Sequence, residues 1–456
     1  MIHAYKLGGF GIIIDAASGS IHSVDDAAFD AILAYEKEGG EGAAKCVGER
    51  YKNLGKSDII ELISDIEDLE RRGKLFSADA FTGVDLSRRE TPLKALCMNV
   101  SHLCNMRCIY CFAGSGEYSG GGLMPLETGK RAIDFLVDNS GGSKYLDVDF
   151  FGGEPLLNWN VIKGIVNYAR EKESGTGKKF RFTLTTNGLL IDDDVIDFTC
   201  REMLNVVLSL DGRREINDAS RIPNDGGGCY SAVVPKIKKL VEARNGKGYY
   251  IRGTYTRGNL DFVNDILHIA DLGFTELSME PVVAKPGAAY ALTADDLPKL
   301  CEQYELLAME MLKRENEGRG FTFYHYKLDP EGGPCIYKRA AGCGVGSGYL
   351  AVTPGGELYP CHQFVGDEGF LMGDVWRGIA NEQLRGKFCG CGIYSRDKCR
   401  ECWARLYCSG GCAANAYHDS GSIEGVYELG CELFKKRLEC AIMINIVHYS
   451  GVSPGS

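Results

Sequence analysis

Cys104, Cys108 and Cys111 stand in the run Cys-Asn-Met-Arg-Cys-Ile-Tyr-Cys, directly after the apolar stretch 96–100. An iron–sulfur cubane is normally held by four thiolates, so a Cys-x3-Cys-x2-Cys loop leaves one iron open to a chelating small molecule. The alternative is a zinc site of three thiolates and one histidine, and His102 is close by. A second concentration lies near the C-terminus, where eleven of the nineteen cysteines fall between Cys335 and Cys440. They include Cys343, Cys361, the series Cys399-x2-Cys402-x5-Cys408-x3-Cys412, and Cys431. Cys399, Cys402, Cys408 and Cys412 would by themselves make an acceptable four-thiolate zinc site.

These residues need a scaffold. From 91 to about 320, short β-rich runs alternate with longer helical ones, the pattern of βα units and a parallel sheet. Strands are predicted near 96–100, 146–151, 180–185, 206–210, 249–254 and 276–281. About six such units fit a partial α/β barrel, whose active site gathers at the C-terminal strand ends. The informative residues fall there. The cysteine loop follows the first strand, Gly152-Gly153-Glu154-Pro155 the second and Thr186-Asn187-Gly188 the third, while Ser209-Leu210-Asp211-Gly212 closes the fourth. Each also has an ordinary reading as a turn, since Gly permits unusual dihedrals and Pro stops a strand. A further hairpin is predicted over 348–360 around Pro354-Gly355-Gly356, fixing Cys343 and Cys361 at its two ends.

With 456 residues, 45% of them hydrophobic, the chain can form two or three domains. The only apolar stretch near the N-terminus, 12–14, is too short for a signal peptide and ends at Asp15. No run of about 18 apolar residues suggests a membrane span. A cytoplasmic protein is expected, in which thiols stay reduced and dense cysteines mean metal ligation or redox work.

Residues 1–85 read as a separate domain. Strand-like runs at 3–7, 11–15 and 20–24 precede helical patterns at 27–38, 42–51 and 56–72. Three strands and three helices resemble a winged helix-turn-helix, more narrowly the recognition element at the front of enzymes that modify ribosomal peptides. Sixteen Asp and Glu against nine Lys and Arg give this segment a net charge of minus seven. That repels nucleic acid and favours capture of an extended peptide as an added strand.

The cysteine loop, with an aromatic before its last cysteine and Gly-Gly-Glu-Pro some forty residues on, resembles the radical S-adenosylmethionine (SAM) superfamily. The resemblance implies that the iron left open by Cys104, Cys108 and Cys111 binds the methionine end of SAM. It implies that Gly152, Gly153 and Glu154 meet the SAM amino group and that Tyr110 neighbours the adenine. Ser209, with Arg221 in the continuation Asn217-Asp218-Ala219-Ser220-Arg221, would approach the ribose and carboxylate. The cysteines at 335–445 resemble the SPASM domain, an extension that holds two auxiliary [4Fe-4S] clusters, making three clusters in all. By that correspondence Cys343, Cys361 and Cys412 serve an inner cluster, and Cys399, Cys402, Cys408 and Cys431 an outer one. Seven thiolates leave two cubanes one short. Cys335 or Cys391 could supply the eighth, or the inner site is open for a substrate cysteine.

The combination resembles ribosomal-peptide maturases that install thioethers, most of all those of SCIFF peptides. It implies cleavage of SAM to a 5′-deoxyadenosyl radical, loss of a backbone α-hydrogen, and a bond from a cysteine sulfur to that carbon. The implied partners are a cysteine-rich precursor peptide, held by its leader, and a low-potential electron donor such as flavodoxin or ferredoxin, with no nucleic acid and no membrane. The alternatives are another radical SAM–SPASM maturase, acting on sulfatases or forming carbon–carbon crosslinks, and a non-enzymatic iron–sulfur redox sensor.

Overall fold

The computed structural model describes residues 1–83, 91–114, 121–284, 287–329 and 335–452. The expected end of the first domain, at 85, lies outside the described residues. The N-terminal unit is a three-stranded antiparallel sheet of β1 (Ile2–Leu7), β2 (Phe10–Asp15) and β3 (Ile21–Val24), with β2 in the middle. Two helices follow, α1 (Asp26–Arg50) and α2 (Lys56–Arg71). The expected helices at 27–38 and 42–51 are two arms of α1, divided at Gly39, whose φ of 71° interrupts the helical path. Asp25 caps α1 by accepting from the Ala28 N–H.

Strand β2 explains how this unit sits. Ile12, Ile13 and Ile14 are all fully buried, so both faces of the strand are covered. Ile13 packs with Phe29, Ile32, Val47 and Ile66 of its own helices, whereas Ile12 and Ile14 join the core of the rest of the chain. Full burial of an isoleucine contributes about 1.5–3 kcal/mol. The N-terminal unit is therefore welded to the body of the protein.

The body is built on one eleven-stranded sheet. Its first part comprises β4 (Ala95–Ser101), β5 (Tyr145–Gly152), β6 (Lys179–Thr186), β7 (Met203–Ser209), β8 (Tyr249–Tyr255), β9 (Glu276–Pro281) and the short β10 (Thr322–Phe323). Each pairs in parallel with its sequence neighbour, so the expected βα ladder is present with one strand more. Burial alternates along these strands. In β6, Phe180, Phe182 and Leu184 are buried against the helical layer, and Thr183 and Thr185 face the other way. In β8, Tyr249, Ile251 and Tyr255 are buried while Arg252 and Thr254 are not. Such period-two alternation gives the sheet one polar face, and that face looks into the cavity described below.

The predicted hairpin forms as β11 (Tyr349–Val352) and β12 (Glu357–Tyr359), joined through Pro354-Gly355-Gly356. Its placement is a finding that local pattern could not supply. Strand β11 pairs in parallel with β4, Tyr349 opposite Ala95 through Val352 opposite Met98. The cysteine-rich segment thus continues the sheet at the edge next to the first cysteine loop, and β13 (Gly373–Asp374) and β14 (Gly378–Ile379) extend it further. The last helix, Glu428–Ser450, lies against helix Leu297–Asn316, with Lys436 paired to Glu305 at 2.8 Å. Among the described residues, no helix is long and apolar enough to cross a membrane.

Candidate active site

A cavity of about 790 Å³ opens at the C-terminal ends of β4–β9. Around it lie Cys104, Cys108, Cys111 and Tyr110, the turn residues Gly152, Gly153 and Glu154, then Ser209 and Arg221. Cys343, Cys408, Cys412 and Cys431 line its other side. Cys361, Cys399 and Cys402 stand behind that wall, outside the lining.

The thiols fall into three sets, recognised by the repulsion their ionised forms would exert on one another. Burial pushes Cys104 up to about 12, with Glu154, Cys108 and Cys111 adding to it. Cys361 is likewise pushed up to about 12, by burial first and then by Cys412 and Cys343. Cys408 rises to about 12 and Cys431 to about 11, burial again leading; Cys399 and Cys402 add to both, and Cys431 adds to Cys408. Thiols this weakly acidic bind a cation only by giving up their protons, so loading of each set is coupled to proton release. Among the described residues, no three His, Cys, Asp or Glu side chains are grouped as for a single metal ion. A cubane distributes its thiolates over four irons and asks for a looser grouping than tetrahedral zinc. His102 is buried, its imidazole pushed down to about 4 by burial, and it is not part of the cavity wall.

The Gly-Gly-Glu-Pro turn is built from the backbone. Gly152 has a φ of 135°, and a Cβ there would lie 2.1 Å from the Ser101 carbonyl oxygen, so only glycine fits. The Gly153 N–H donates to that same oxygen at 2.7 Å and the Glu154 N–H to the Leu103 carbonyl at 2.8 Å, tying the turn to the base of the cysteine loop. Glu154 is 1% exposed. Its Oε1 accepts from the Leu156 N–H at 3.0 Å and the Thr186 hydroxyl at 2.8 Å, and its Oε2 from the Asn187 N–H at 2.8 Å. Burial raises its pKa against these hydrogen bonds. A carboxylate has about four acceptor positions, and three are spent, which leaves one for an ammonium in the cavity. Thr-Asn-Gly is therefore the clamp that orients Glu154. Asn187 also donates to Asn105 Oδ1 at 2.7 Å, inside the cysteine loop.

Tyr110 and Arg221 come together with a residue that motif reading quoted without assigning it a role, Asp211. The Tyr110 hydroxyl donates to Asp211, and Arg221 Nη1 donates to the Tyr110 oxygen at 3.0 Å. Arg221 is 7% exposed and Asp211 1%. Arg221 Nε is buried with no hydrogen-bond partner among the described residues. An orphaned guanidinium N–H on the cavity wall fits an anionic group such as the carboxylate of an amino acid. The available acceptor of Glu154, this donor and the three thiols together suit SAM, whose methionine end carries an ammonium and a carboxylate.

A second polar group was not foreseen. Arg252 and Glu280, cross-strand neighbours on the polar face of β8 and β9, form an ion pair of 2.7 Å beside His325, with Arg437 from the last helix also on the cavity wall. Burial would raise Glu280, but Arg252, His325 and Arg437 hold it down to about 2. Burial, with Arg437, pushes His325 down to about 3. His362 packs between Phe112 and Phe151 at 5.4 and 4.7 Å and is pushed down to about 4, chiefly by burial. The signal in the sequence was a charged residue at alternate positions of otherwise apolar strands, as in Tyr-Tyr-Ile-Arg-Gly-Thr-Tyr.

Of the spare cysteines, Cys391 is buried, accepts from Arg396 Nη2 and donates to the Ile423 carbonyl, each at 3.1 Å, and raises the pKa of Cys399. That places it near Cys399. Cys335 is exposed at the start of helix Ile336–Ala341.

The chain has an α/β fold with a parallel sheet and a cavity at the C-terminal strand ends. Residues 98–259 match the family described as "Radical SAM superfamily". The chain is 22% identical to "Radical SAM cyclopropyl synthase TigE" of Paramaledivibacter caminithermalis, over 77% of this chain and 74% of that protein. In structure it resembles "Native anSMEcpe with bound AdoMet", with a TM-score of 0.65, 21% identity, and coverage of 79% of this chain and all of that one. It also resembles Streptococcus suis SuiB bound to precursor peptide SuiA, with a TM-score of 0.53, 17% identity, and coverage of 93% and 97%.

Proposed function

We propose that this protein cleaves SAM reductively and forms thioethers between cysteine sulfurs and backbone α-carbons of a ribosomally made, cysteine-rich precursor peptide. The observation that carries the reading is that three cysteine sets meet around one cavity, with an acidic N-terminal unit fixed beside it. When bound at Cys104, Cys108 and Cys111, a [4Fe-4S] cluster and SAM supply the radical that takes the α-hydrogen. Glu154 and Arg221 hold the ammonium and carboxylate of SAM, and Asp211 and Tyr110 keep Arg221 in place. Ser209, at the end of β7, faces the same ligand. Arg252, Glu280, His325 and Arg437 form the polar wall against which the peptide lies.

The peptide loses two hydrogens per bond, one from carbon and one from sulfur. Cys343, Cys361 and Cys412 would hold an inner cluster, and three protein thiolates would leave it able to bind a substrate cysteine as thiolate. Cys399, Cys402, Cys408 and Cys431 would hold an outer cluster, which would supply an acceptor for the electron left after the bond forms, and a low-potential donor such as flavodoxin or ferredoxin would start each cycle. The peptide's leader pairs with the N-terminal sheet. Strand β1 is engaged by the last helix, through Tyr5 hydroxyl to the Glu439 carbonyl at 3.0 Å and His3 to Glu439 at 2.9 Å. That leaves β3 as the pairing edge. Acidic α1 and α2 favour a leader with basic residues.

Metal analysis tests the cofactor part of this reading. Anaerobic reconstitution is expected to load about twelve irons per chain, three cubanes, with little zinc. About four irons, with zinc making up the difference, would refute the two auxiliary sites.

A further inference from the structure

The five residues between Cys402 and Cys408 do more than set a cysteine spacing. Trp403, Arg405 and Tyr407 alternate along this spacer, and each reaches the N-terminal unit. Trp403 stacks on His3, with ring centres 3.9 Å apart and planes 4° from parallel. Arg405, 5% exposed, donates from Nη2 to Asp79 at 2.9 Å and from Nη1 to the carbonyl of Cys402 at 3.1 Å. The Tyr407 hydroxyl donates to the Gly19 carbonyl at 3.4 Å.

Asp79 is the hub of these contacts. It also accepts from the Tyr394 hydroxyl at 3.2 Å and from the Phe81 N–H at 2.9 Å. These donors and Arg405 keep its carboxyl below its ordinary range, against the burial that would raise it. The segment carrying Asp79 is anchored in turn, since the Ser77 N–H donates to the buried Asp15 at the end of β2, at 2.8 Å. Hydrogen bonds between Asp15 and Ser77, and from Asp79 through Arg405 to the backbone of Cys402, joined by the short backbone segment 77–79, therefore link the N-terminal sheet to the cysteine loop. Holding a buried guanidinium there requires its carboxylate partner; without Asp79, Arg405 would be an uncompensated charge beside the loop.

We propose that Asp79 and His3 are positioning residues for the outer cysteine set, acting through Arg405 and Trp403, so that the N-terminal unit holds Cys402 and Cys408 in the arrangement that retains iron. This rests on the reading that Cys399, Cys402, Cys408 and Cys431 hold a cluster. A consequence is reciprocal: whatever shifts the N-terminal unit, a bound leader included, is felt at the outer site, and loading of the outer site is felt by the N-terminal unit.

The test uses the full chain, reconstituted anaerobically, challenged with an iron chelator and followed by iron release and by electron paramagnetic resonance of the reduced clusters. Asp79→Asn is expected to release about four of about twelve irons about tenfold faster than the parent, the effect of losing one charge-assisted hydrogen bond, and to change the outer signal alone. Asp79→Glu should recover most of the retention. Asp26→Ala, which removes a surface pair with Lys6 in the same unit, should match the parent. Should Asp79→Asn unfold and lose every cluster together, His3→Ala decides, because it removes only the stack. Selective loss from the outer site supports the proposal, and uniform loss overturns it. Release rates and spectra in Asp79→Asn and His3→Ala equal to those of a parent that carries all three clusters would overturn the positioning role and leave the proposed function standing. A parent that never loads the outer site would refute both.

Discussion

Cys108→Ala should reduce SAM cleavage to the level seen without protein. Cys108 shares its loop with Cys104 and Cys111, faces the cavity, and lies in the field of Arg221, which partly offsets the rise that burial gives its thiol. A set of three thiolates has no redundancy, because the open iron is defined by the three that are filled. Alanine removes the sulfur without adding bulk, so the loop, which is pinned by Gly153 and Glu154 to Ser101 and Leu103, should keep its path. The measurement is 5′-deoxyadenosine formed under a strong reductant. Cys200→Ala, an exposed cysteine on helix Asp193–Glu202, serves as the control and should leave cleavage intact. Cleavage by Cys108→Ala at the parent rate would remove the assignment of this loop.

Cys402→Ala should separate starting the reaction from finishing it. Cys402 is not part of the cavity lining and is grouped with Cys408 and Cys431 by their mutual repulsion. SAM cleavage without product should therefore survive in part, while thioether formation falls to background because the electron released at bond formation has no path out. Both are read from one reaction mixture, as 5′-deoxyadenosine and as peptide mass. Crosslinking by Cys402→Ala equal to the parent would contradict the role of the outer set.

Much of this was legible in the sequence, for identifiable reasons. Cysteine spacing is local, and it singled out the loop at Cys104, Cys108 and Cys111 and the series from Cys399 to Cys412, whereas the division into an inner and an outer group came only from the resemblance. The strands β4–β9 were legible because short apolar runs end in turn residues, and the Gly-Gly-Glu-Pro and Thr-Asn-Gly turns because glycine marks backbone that other residues cannot follow. What escaped depends on distant pairings. Nothing in Tyr349–Val352 announces that its partner is β4 rather than another strand, since parallel pairing leaves no turn between the two. Asp79 and Arg405 are 326 residues apart, and each alone reads as a solvated charge. Three consecutive buried isoleucines in β2 were the one local hint that the N-terminal sheet is covered on both faces. Asp211 was quoted inside its motif, but only the fold shows that it anchors Tyr110 and Arg221.

Transfer of label from peptide to SAM tests the central claim most directly. The reduced, fully loaded protein is given SAM and a cysteine-rich precursor peptide with deuterium at the α-carbons. The account predicts deuterium in 5′-deoxyadenosine and a peptide lighter by one deuterium and one hydrogen per crosslink, with one thiol lost for each bond. Unlabelled 5′-deoxyadenosine together with a peptide of unchanged mass and full thiol count would contradict it.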